Sequence, residues 1–251
     1  IWMTGFTVIP LLMVFCYGLT DRSGAFTLAN ILAISSSEHL KALWLSLALA
    51  GVSTVICLVL AYPLALILRK RHIGKGSFVV FIFILPMWMN FLLRTMAWQT
   101  LLEKNGVINT FLTMLHLPNI AIINTPAAII LGMVYNFLPF MVLPIYNTLA
   151  KIDDNVINAA RDLGADNYQT LTKILLPLSV PGIVSGITMV FVPALTTFVI
   201  SNLLGGSKIL LIGNVIEQEF YKGKQLEPRR RTFHRAHGIH PSQHDHDRKI
   251  R

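Results

Sequence analysis

Five long apolar runs determine what this chain is able to fold into. A helix that crosses about 30 Å of hydrocarbon needs roughly 20 mostly apolar residues, and each run is about that long or longer. The runs extend over Ile1–Leu19, Ala42–Leu68, Ser77–Leu102, Thr125–Leu149 and Val180–Leu204. No basic region precedes the first run, so we expect a spanning helix with its start missing rather than a cleaved signal peptide. The pattern predicts an all-α membrane protein with five spans.

The composition supports a membrane protein and excludes other classes. Of the 251 residues, 54% are hydrophobic and 13% are charged, against about 45–50% and 25% in a soluble domain. This excludes an intrinsically disordered chain, and two cysteines are too few for a disulfide scaffold. The net charge is +9, but the 21 lysines and arginines are spread along the chain, with four in a short block at 69–75 and seven in a tail at 226–251. Because they are not gathered on one face, we expect membrane lipid, and no nucleic acid, as a partner.

The basic block predicts how the chain lies in the membrane. Four lysines and arginines fall between positions 69 and 75, whereas the loops on either side, 20–41 and 103–124, hold two and one. Short loops rich in lysine and arginine stay in the cytoplasm. The loop after the second run is therefore predicted to be cytoplasmic, and so is the loop from Ala150 to Ser179.

All twelve acidic residues lie outside the apolar runs. Carriers driven by protons or sodium ions usually hold an ionisable residue at membrane depth. If the chain is a transporter, its energy must therefore come from another subunit. The spans also lack paired carboxylates and the sequence H-E-x-x-H, which argues against an intramembrane protease, and we expect no metal ion and no cofactor.

A few side chains in the spans are candidates for lining a pathway. Arg94 is the single charge inside a run; it snorkels, pairs with a helix-end carbonyl or lines a pathway. Asn90 and Asn136 either hold helices together or line the same pathway. Trp88 and Tyr135 either contact lipid and neighbouring helices or contact a cation through their rings.

The loop at 151–178 is the most informative polar segment. Ile152, Val156, Ala159, Ala160 and Leu163 recur at helical spacing and form one face of an amphipathic helix. Gly164 follows where a left-handed residue ends a helix. Asp166 and Gln169 then form the pattern of a capping box, which opens a second helix toward Pro177. We predict a short helix, a tight turn and another helix, and the alternative is a single helix lying on the membrane surface.

The same loop resembles a family motif. It reads Asn-Ala-Ala, three residues, Gly164, nine residues and Ile-x-Leu-Pro177, which is similar to the EAA loop, E-A-A-x3-G-x9-I-x-L-P, of permease subunits of bacterial ABC importers. The resemblance implies a coupling helix that docks into a cleft of the ATPase subunit. The residues implied by position are Asn158, Ala159, Ala160, Gly164, Ala165 and Pro177. Asn158 stands where the family usually has glutamate, so no contact through that carboxylate is implied.

Further runs extend the resemblance over most of the chain. Residues 125–135, 138–141, 160–165 and 211–216 resemble the spermidine/putrescine permease branch of the family. This implies a MetI-like helical bundle, multi-pass in the bacterial inner membrane, that works by alternating access. The implied partners are ABC ATPase subunits, a second homologous permease subunit and an extracytoplasmic substrate-binding protein. No G-x-x-x-x-G-K-[ST] motif occurs, so we expect the chain itself not to be an enzyme. The alternatives are the same fold importing another small solute, and a membrane scaffold or enzyme that does not transport.

The end of the chain departs from this pattern. Such permeases have six core spans, but after the fifth run residues 226–251 are polar and basic, with seven Lys/Arg and three Asp/Glu. We therefore divide the chain into a permease domain at 1–225 and a tail at 226–251. Our hypothesis is a frameshift near Gln225 that replaced the sixth span. The alternatives are a disordered tail and a metal site formed by its histidines.

Overall fold

The computed structural model describes residues 2–20, 26–27, 36–70, 85, 87–206, 209–219 and 221. The tail at 226–251 lies outside the described residues, and so would a sixth span. The hypotheses of a frameshift, a disordered tail and a metal site all concern this tail. Within the described residues the chain is helical, and β structure is limited to an isolated bridge between Thr20 and Phe26. The predicted all-α fold is confirmed.

The described helices follow the chain in a simple order. They are α1 (Trp2–Gly18), α2 (Ser37–Lys70), α3 (Phe91–Leu102), α4 (Val107–Met114), α5 (Pro126–Ala150), α6 (Asp154–Asp162), α7 (Asn167–Thr196), α8 (Val199–Leu204) and α9 (212–219). Among them α2, α5 and α7 are long and apolar enough to cross a membrane. The 17 residues of α1 are at the short end of the range for a spanning helix.

The third apolar run does not form one continuous helix. Residues 71–84 lie outside the described residues, and the helix is interrupted at Met89 and Asn90 before α3 begins at Phe91. Asn90 has non-helical torsion angles, φ −54° and ψ 125°, and its side chain accepts a hydrogen bond of 2.9 Å from the Leu92 N–H. Asparagine favours this capping position because it satisfies a backbone donor without a helical partner. The predicted span over Ser77–Leu102 is therefore interrupted before α3.

The fifth run differs from the prediction at both ends. α7 already begins at Asn167, and it ends at Thr196, before the predicted end at Leu204. Thr197 is extended, with φ −67° and ψ 132°, and α8 starts anew at Val199. Gly213 packs against the break so closely that a Cβ there would overlap the Thr196 carbonyl. Hydropathy does not reveal the interruption because the residues on both sides of it are apolar.

The core of the protein lies where α2, α5 and α7 pack together. α2 contributes a stripe of small, fully buried residues that includes Ala50, Ser53, Cys57 and Ala61. Small side chains let membrane helices approach closely, and dispersion contacts then stabilise the pair. The Ser53 hydroxyl lies 3.4 Å from the sulfur of Met133 on α5. These three helices form the packed centre of the described part of the chain.

Candidate functional site

The loop between α5 and α7 folds as predicted into a short helix, a tight turn and a second helix. α6 begins after Asp153, whose carboxylate accepts a 3.0 Å hydrogen bond from the Asn155 N–H. A carboxylate here satisfies an unpaired backbone donor and interacts favourably with the positive end of the helix dipole. The start of α6 is therefore fixed by one acidic side chain.

Gly164 ends α6 in the left-handed conformation, with φ +86°. Its N–H donates to the Arg161 carbonyl at 2.9 Å, and the Ala165 N–H donates to the Ala160 carbonyl at 3.0 Å. This pair of bonds is the Schellman motif, in which glycine is favoured because it has no Cβ. A Cβ at position 164 would meet no atom within 4 Å. The torsion angle, and not a lack of space, is what favours glycine here.

Asp166 begins α7 with the predicted capping box. The Gln169 N–H donates to Asp166 Oδ1 at 2.6 Å, and the Asp166 N–H donates to Gln169 Oε1 at 3.4 Å. Two backbone donors at the start of the helix are thus satisfied reciprocally. Together with Gly164, this cap leaves only a short turn between α6 and α7, so the direction in which α6 points is tied to that of α7.

The second helix, predicted to run toward Pro177, continues past it. It widens into a π turn over Thr170–Leu175, in which the Leu176 N–H donates to the Leu171 carbonyl five residues earlier. An ordinary α-turn would bring the ring of Pro177 against a carbonyl in the preceding turn. The wider turn gives the ring room, and the helix continues to Thr196. The loop and the membrane helix are therefore one continuous rod.

α6 carries an exposed apolar stripe, which consists of Val156, Ala159 and Leu163. These residues are spaced as one helical face, and Leu163 is 88% exposed. The helix rests on the core through Ile157, which is buried and belongs to the core cluster. The stripe is not covered by the described residues of the chain.

The residues implied by the family motif lie on α6, in the turn after it and, in the case of Pro177, ten residues into α7. Asn158, Ala159, Gly164 and Pro177 are exposed, whereas Ala160 and Ala165 are half-buried. Ile152, also predicted for the apolar face, is half-buried and packs against the core. The exposed apolar stripe of α6 is consequently narrower than the apolar face that the sequence pattern indicated.

Two of the candidate pathway residues lie before α3. Trp88 is 74% exposed, and Asn90 is exposed and caps α3. Their surroundings include residues outside the described part of the chain. The capping role of Asn90 is one that neither prediction for this residue anticipated.

The other three candidates are Arg94 on α3 and Tyr135 and Asn136 on α5, two helices that contact each other along a seam. The seam is formed by two ring contacts, Phe91 with Phe137 at 6.5 Å and Trp98 with Tyr135 at 5.3 Å between ring centroids. Arg94 lies between Phe91 and Trp98 on the same face of α3. Tyr135 is 40% exposed.

Arg94 on α3 and Asn136 on α5 both have buried polar atoms without a hydrogen-bond partner among the described residues. Arg94 is 93% buried, since its exposed fraction is 7%. Its Nε and NH1 have no hydrogen-bond partner among the described residues, so these atoms do not pair with a helix-end carbonyl. Asn136 donates from Nδ2 to the Gly132 carbonyl at 2.9 Å, while its Oδ1 has no partner among the described residues. A buried polar atom without a hydrogen-bond partner lowers the stability of the fold. In membrane proteins, buried polar and ionisable groups are concentrated at functional sites.

Sequence reasoning missed a polar network between α8 and α9. Ser201 Oγ donates to Asn214 Oδ1 at 2.5 Å, and Asn214 Nδ2 donates to Asn202 Oδ1 at 2.6 Å. Asn202 Nδ2 in turn donates to Glu217 Oε2 at 3.1 Å. The buried Asn214 side chain also accepts a hydrogen bond from the Leu211 N–H at 3.0 Å. The only sequence signal was a polar residue within an apolar run at 211–216.

No group of three or more metal-binding side chains comes together in the part of the chain that the structure describes. Hydroxyl, amide and aromatic groups dominate the seam and the network instead. The hydrogen bonds of the network hold α8 and α9 together.

Comparison with known proteins places the chain among transport permeases. Residues 4–221 match the family model described as binding-protein-dependent transport system inner membrane component. The spermidine/putrescine transport system permease protein PotB of Haemophilus influenzae is 38% identical over 228 residues, covering 87% of this chain and 79% of the relative. PotB of Escherichia coli is 39% identical over 227 residues, covering 87% and 82%.

Solved structures show the same fold at lower sequence identity. A bacterial ABC transporter involved in import of the acidic polysaccharide alginate matches with a TM-score of 0.71 and 19% identity, covering 89% of this chain and 81% of that chain. A bacterial alginate ABC transporter in complex with a periplasmic protein that holds an alginate pentasaccharide matches with a TM-score of 0.68 and 19% identity, covering 89% and 84%. At this identity the comparison concerns the fold alone.

Proposed function

The chain belongs to the family of binding-protein-dependent transport system inner membrane components, and from this premise we propose that it is the transmembrane subunit of an ATP-driven importer of polyamines. The family that the cytoplasmic loop predicted is thereby confirmed. The polyamine cargo is supported by the similarity to two PotB proteins at 38% and 39% identity over 87% of the chain. This similarity is the observation that carries the proposal.

The coupling of transport to ATP hydrolysis is assigned to α6. The exposed stripe of Val156, Ala159 and Leu163 supports this, because such a face needs a partner outside the chain. We propose that the partner is an ABC ATPase subunit, which hydrolyses ATP in place of this chain. The continuous rod of α7 then carries a displacement of α6 into the membrane.

Alternating access follows from this arrangement. Closure of an ATPase dimer displaces α6 in this subunit and the corresponding helix in a second, homologous permease subunit. The path between the two permeases then closes on one side of the membrane and opens on the other. A binding protein outside the membrane delivers the solute.

The seam between α3 and α5 is proposed to line the path. Tyr135 and Trp98 offer the faces and edges of aromatic rings, and such rings attract ammonium groups. The 40% exposure of Tyr135 supports a contact with a passing solute, whereas Arg94 and Asn136 are buried. Trp88 and Asn90 remain candidates for the same path at the start of α3.

The test of this function is uptake by a defined complex. The full chain is expressed with its neighbouring permease, ATPase and binding protein, reconstituted in liposomes, and supplied with labelled spermidine. We expect uptake that requires internal ATP and the binding protein. Competition by unlabelled putrescine but not by an anionic sugar would support polyamine import. Uptake that is suppressed only by another class of solute would indicate that the same fold imports a different cargo. Failure to associate with any ATPase would favour the non-transporting scaffold.

A further inference from the structure

Arg69 joins three elements at the cytoplasmic end of the bundle. Its Nε donates to the carbonyl of Leu149 on α5 at 2.8 Å. Its NH2 donates to the Ile152 carbonyl at 2.9 Å and to the carboxylate Oδ1 of Asp154, the first residue of α6, also at 2.9 Å. One side chain near the end of α2 therefore holds the end of α5, the link that follows it and the start of α6.

The two carbonyls are acceptors of a kind that a helix cannot satisfy by itself. The last carbonyls of a helix lack partners within it, and a cation near them interacts favourably with the helix dipole. The link from α5 to α6 comprises only residues 151–153. By binding on both sides of Ile152, Arg69 restrains the segment in which α6 would otherwise swing relative to α5.

The carbonyl bonds are expected to matter more than the ion pair. The side chain of Arg69 is 13% exposed, whereas that of Asp154 is 60% exposed. A pair with one partner in solvent is screened and contributes little. Hydrogen bonds from a charged donor to buried carbonyls are stronger.

Arginine is needed for this geometry because its guanidinium presents several N–H groups in a rigid plane. Lysine keeps the charge but carries its donors on a single nitrogen. The bonds to Leu149 and Ile152 leave from different nitrogens of Arg69. The charge of the block at 69–75 predicts orientation in the membrane, but it gives no reason for an arginine at position 69.

We propose that Arg69 is a positioning residue that makes α2, α5 and α6 move as one body. The inference rests on the proposed function, in which an ATPase displaces α6. With the link restrained, a displacement of α6 moves the membrane helices to which Arg69 is bonded. Without the restraint, part of the displacement is lost in bending of residues 151–153, and ATP is hydrolysed without transport.

The variants that test this are Arg69→Lys and Arg69→Gln, with Lys151→Gln as the matched control. Lys151 is exposed and lies in the same link, so its substitution removes a cytoplasmic charge without removing the bonds. In the reconstituted complex we measure spermidine uptake and ATP hydrolysis together. We expect both Arg69 variants to retain the ATPase subunit and to lose about five-fold or more in uptake per ATP. Lys151→Gln is expected to match the wild type.

A distance measurement tests the restraint separately from transport. Spin labels are placed by Ile67→Cys on α2 and Asn155→Cys on α6, in a chain that also carries Cys16→Ser and Cys57→Ala. We expect a narrow distance distribution with Arg69 and a broader one with Arg69→Lys. An unchanged distribution, or an unchanged uptake per ATP in Arg69→Lys, overturns the inference. If the wild-type complex takes up no spermidine, the proposed function fails, while the distance measurement still decides whether Arg69 restrains α6.

Discussion

The hydroxyl of Ser46 on α2 accepts a hydrogen bond of 2.8 Å from the backbone N–H of Ile212, the first residue of α9. The first N–H groups of a helix have no partner within it. Ser46 is fully buried, so water does not replace the bond. This contact fastens the segment after α8 to the core helix α2, although the two residues are 166 positions apart in the chain.

Ser46→Ala is expected to destabilise the protein by about 1–3 kcal/mol, because it leaves a backbone donor without its acceptor. Thermal unfolding of the purified protein in detergent measures the effect. Thr188→Ala is the control, since Thr188 is exposed and its hydroxyl donates to the Val184 carbonyl of its own helix at 3.0 Å. Equal unfolding temperatures for Ser46→Ala and the wild type would show that the contact does not stabilise the fold.

Gly164→Ala tests the turn after α6. The substitution places a Cβ on a residue with φ +86°, which costs about 1–2 kcal/mol without any steric clash in the turn. We expect α6 to tilt or fray, and the ATPase subunit to co-purify in smaller amounts. Gly51→Ala on α2 is the control, because a Cβ there also meets nothing within 4 Å but the residue is helical. Co-purification reduced equally by both substitutions would contradict the special role of the turn.

The turn was predictable because its determinants are local. Gly164, Asp166 and Gln169 act on backbone groups within a few residues, so their spacing in the sequence is enough to place the helix ends. The interruptions at Asn90 and Thr197 were not predictable from hydropathy, since both lie among apolar residues. Contacts between residues far apart in the chain could not be predicted from the sequence either. The bonds of Arg69 require knowing that α5 ends beside α2, and the exposure of Leu163 requires knowing that Ile157 takes the inner face of α6.

Leu163→Arg tests whether the exposed stripe is the docking face for the ATPase. Because Leu163 is 88% exposed, the substitution should not affect folding. At the centre of an interface it would bury an unpaired charge, so we expect loss of ATPase co-purification and of uptake. Leu117→Arg, at an exposed leucine between α4 and α5 on the predicted opposite side of the membrane, is the control. An ATPase that remains bound to the Leu163→Arg protein would exclude the stripe from the interface.

Because α7 packs closely against α5, we predict that alanine destabilises the protein more at one glycine of α7, Gly182, than at another, Gly186. A Cβ at Gly182 would lie 2.5 Å from Thr148 Oγ1 and 2.7 Å from the Pro144 carbonyl. At Gly186 the nearest atom is the sulfur of Met141, at 2.7 Å, which belongs to a flexible side chain. We expect Gly182→Ala to destabilise the protein by about 1–3 kcal/mol and Gly186→Ala by less. Unfolding temperatures in the same detergent give the order, and the reverse order would contradict the packing described.

Arg94→Met tests whether the buried arginine between α3 and α5 contributes to transport and not to stability. Methionine keeps much of the length of the side chain and removes a buried guanidinium whose Nε and NH1 have no partner among the described residues. Replacing buried charges by apolar groups is often neutral or stabilising by about 1–4 kcal/mol. We therefore expect an unfolding temperature equal to or above that of the wild type.

Uptake by the Arg94→Met protein is expected to fall, because an ionisable group at membrane depth is kept despite its cost where transport uses it. The measurement is spermidine uptake in liposomes at equal amounts of assembled complex. Lys104→Met is the control, since Lys104 is exposed outside the span, and it should alter neither property. A marked loss of stability in Arg94→Met would mean that the assembled importer supplies acceptors for the guanidinium. Unchanged uptake would remove Arg94 from the pathway and leave Tyr135 as the residue of the seam that contacts the solute.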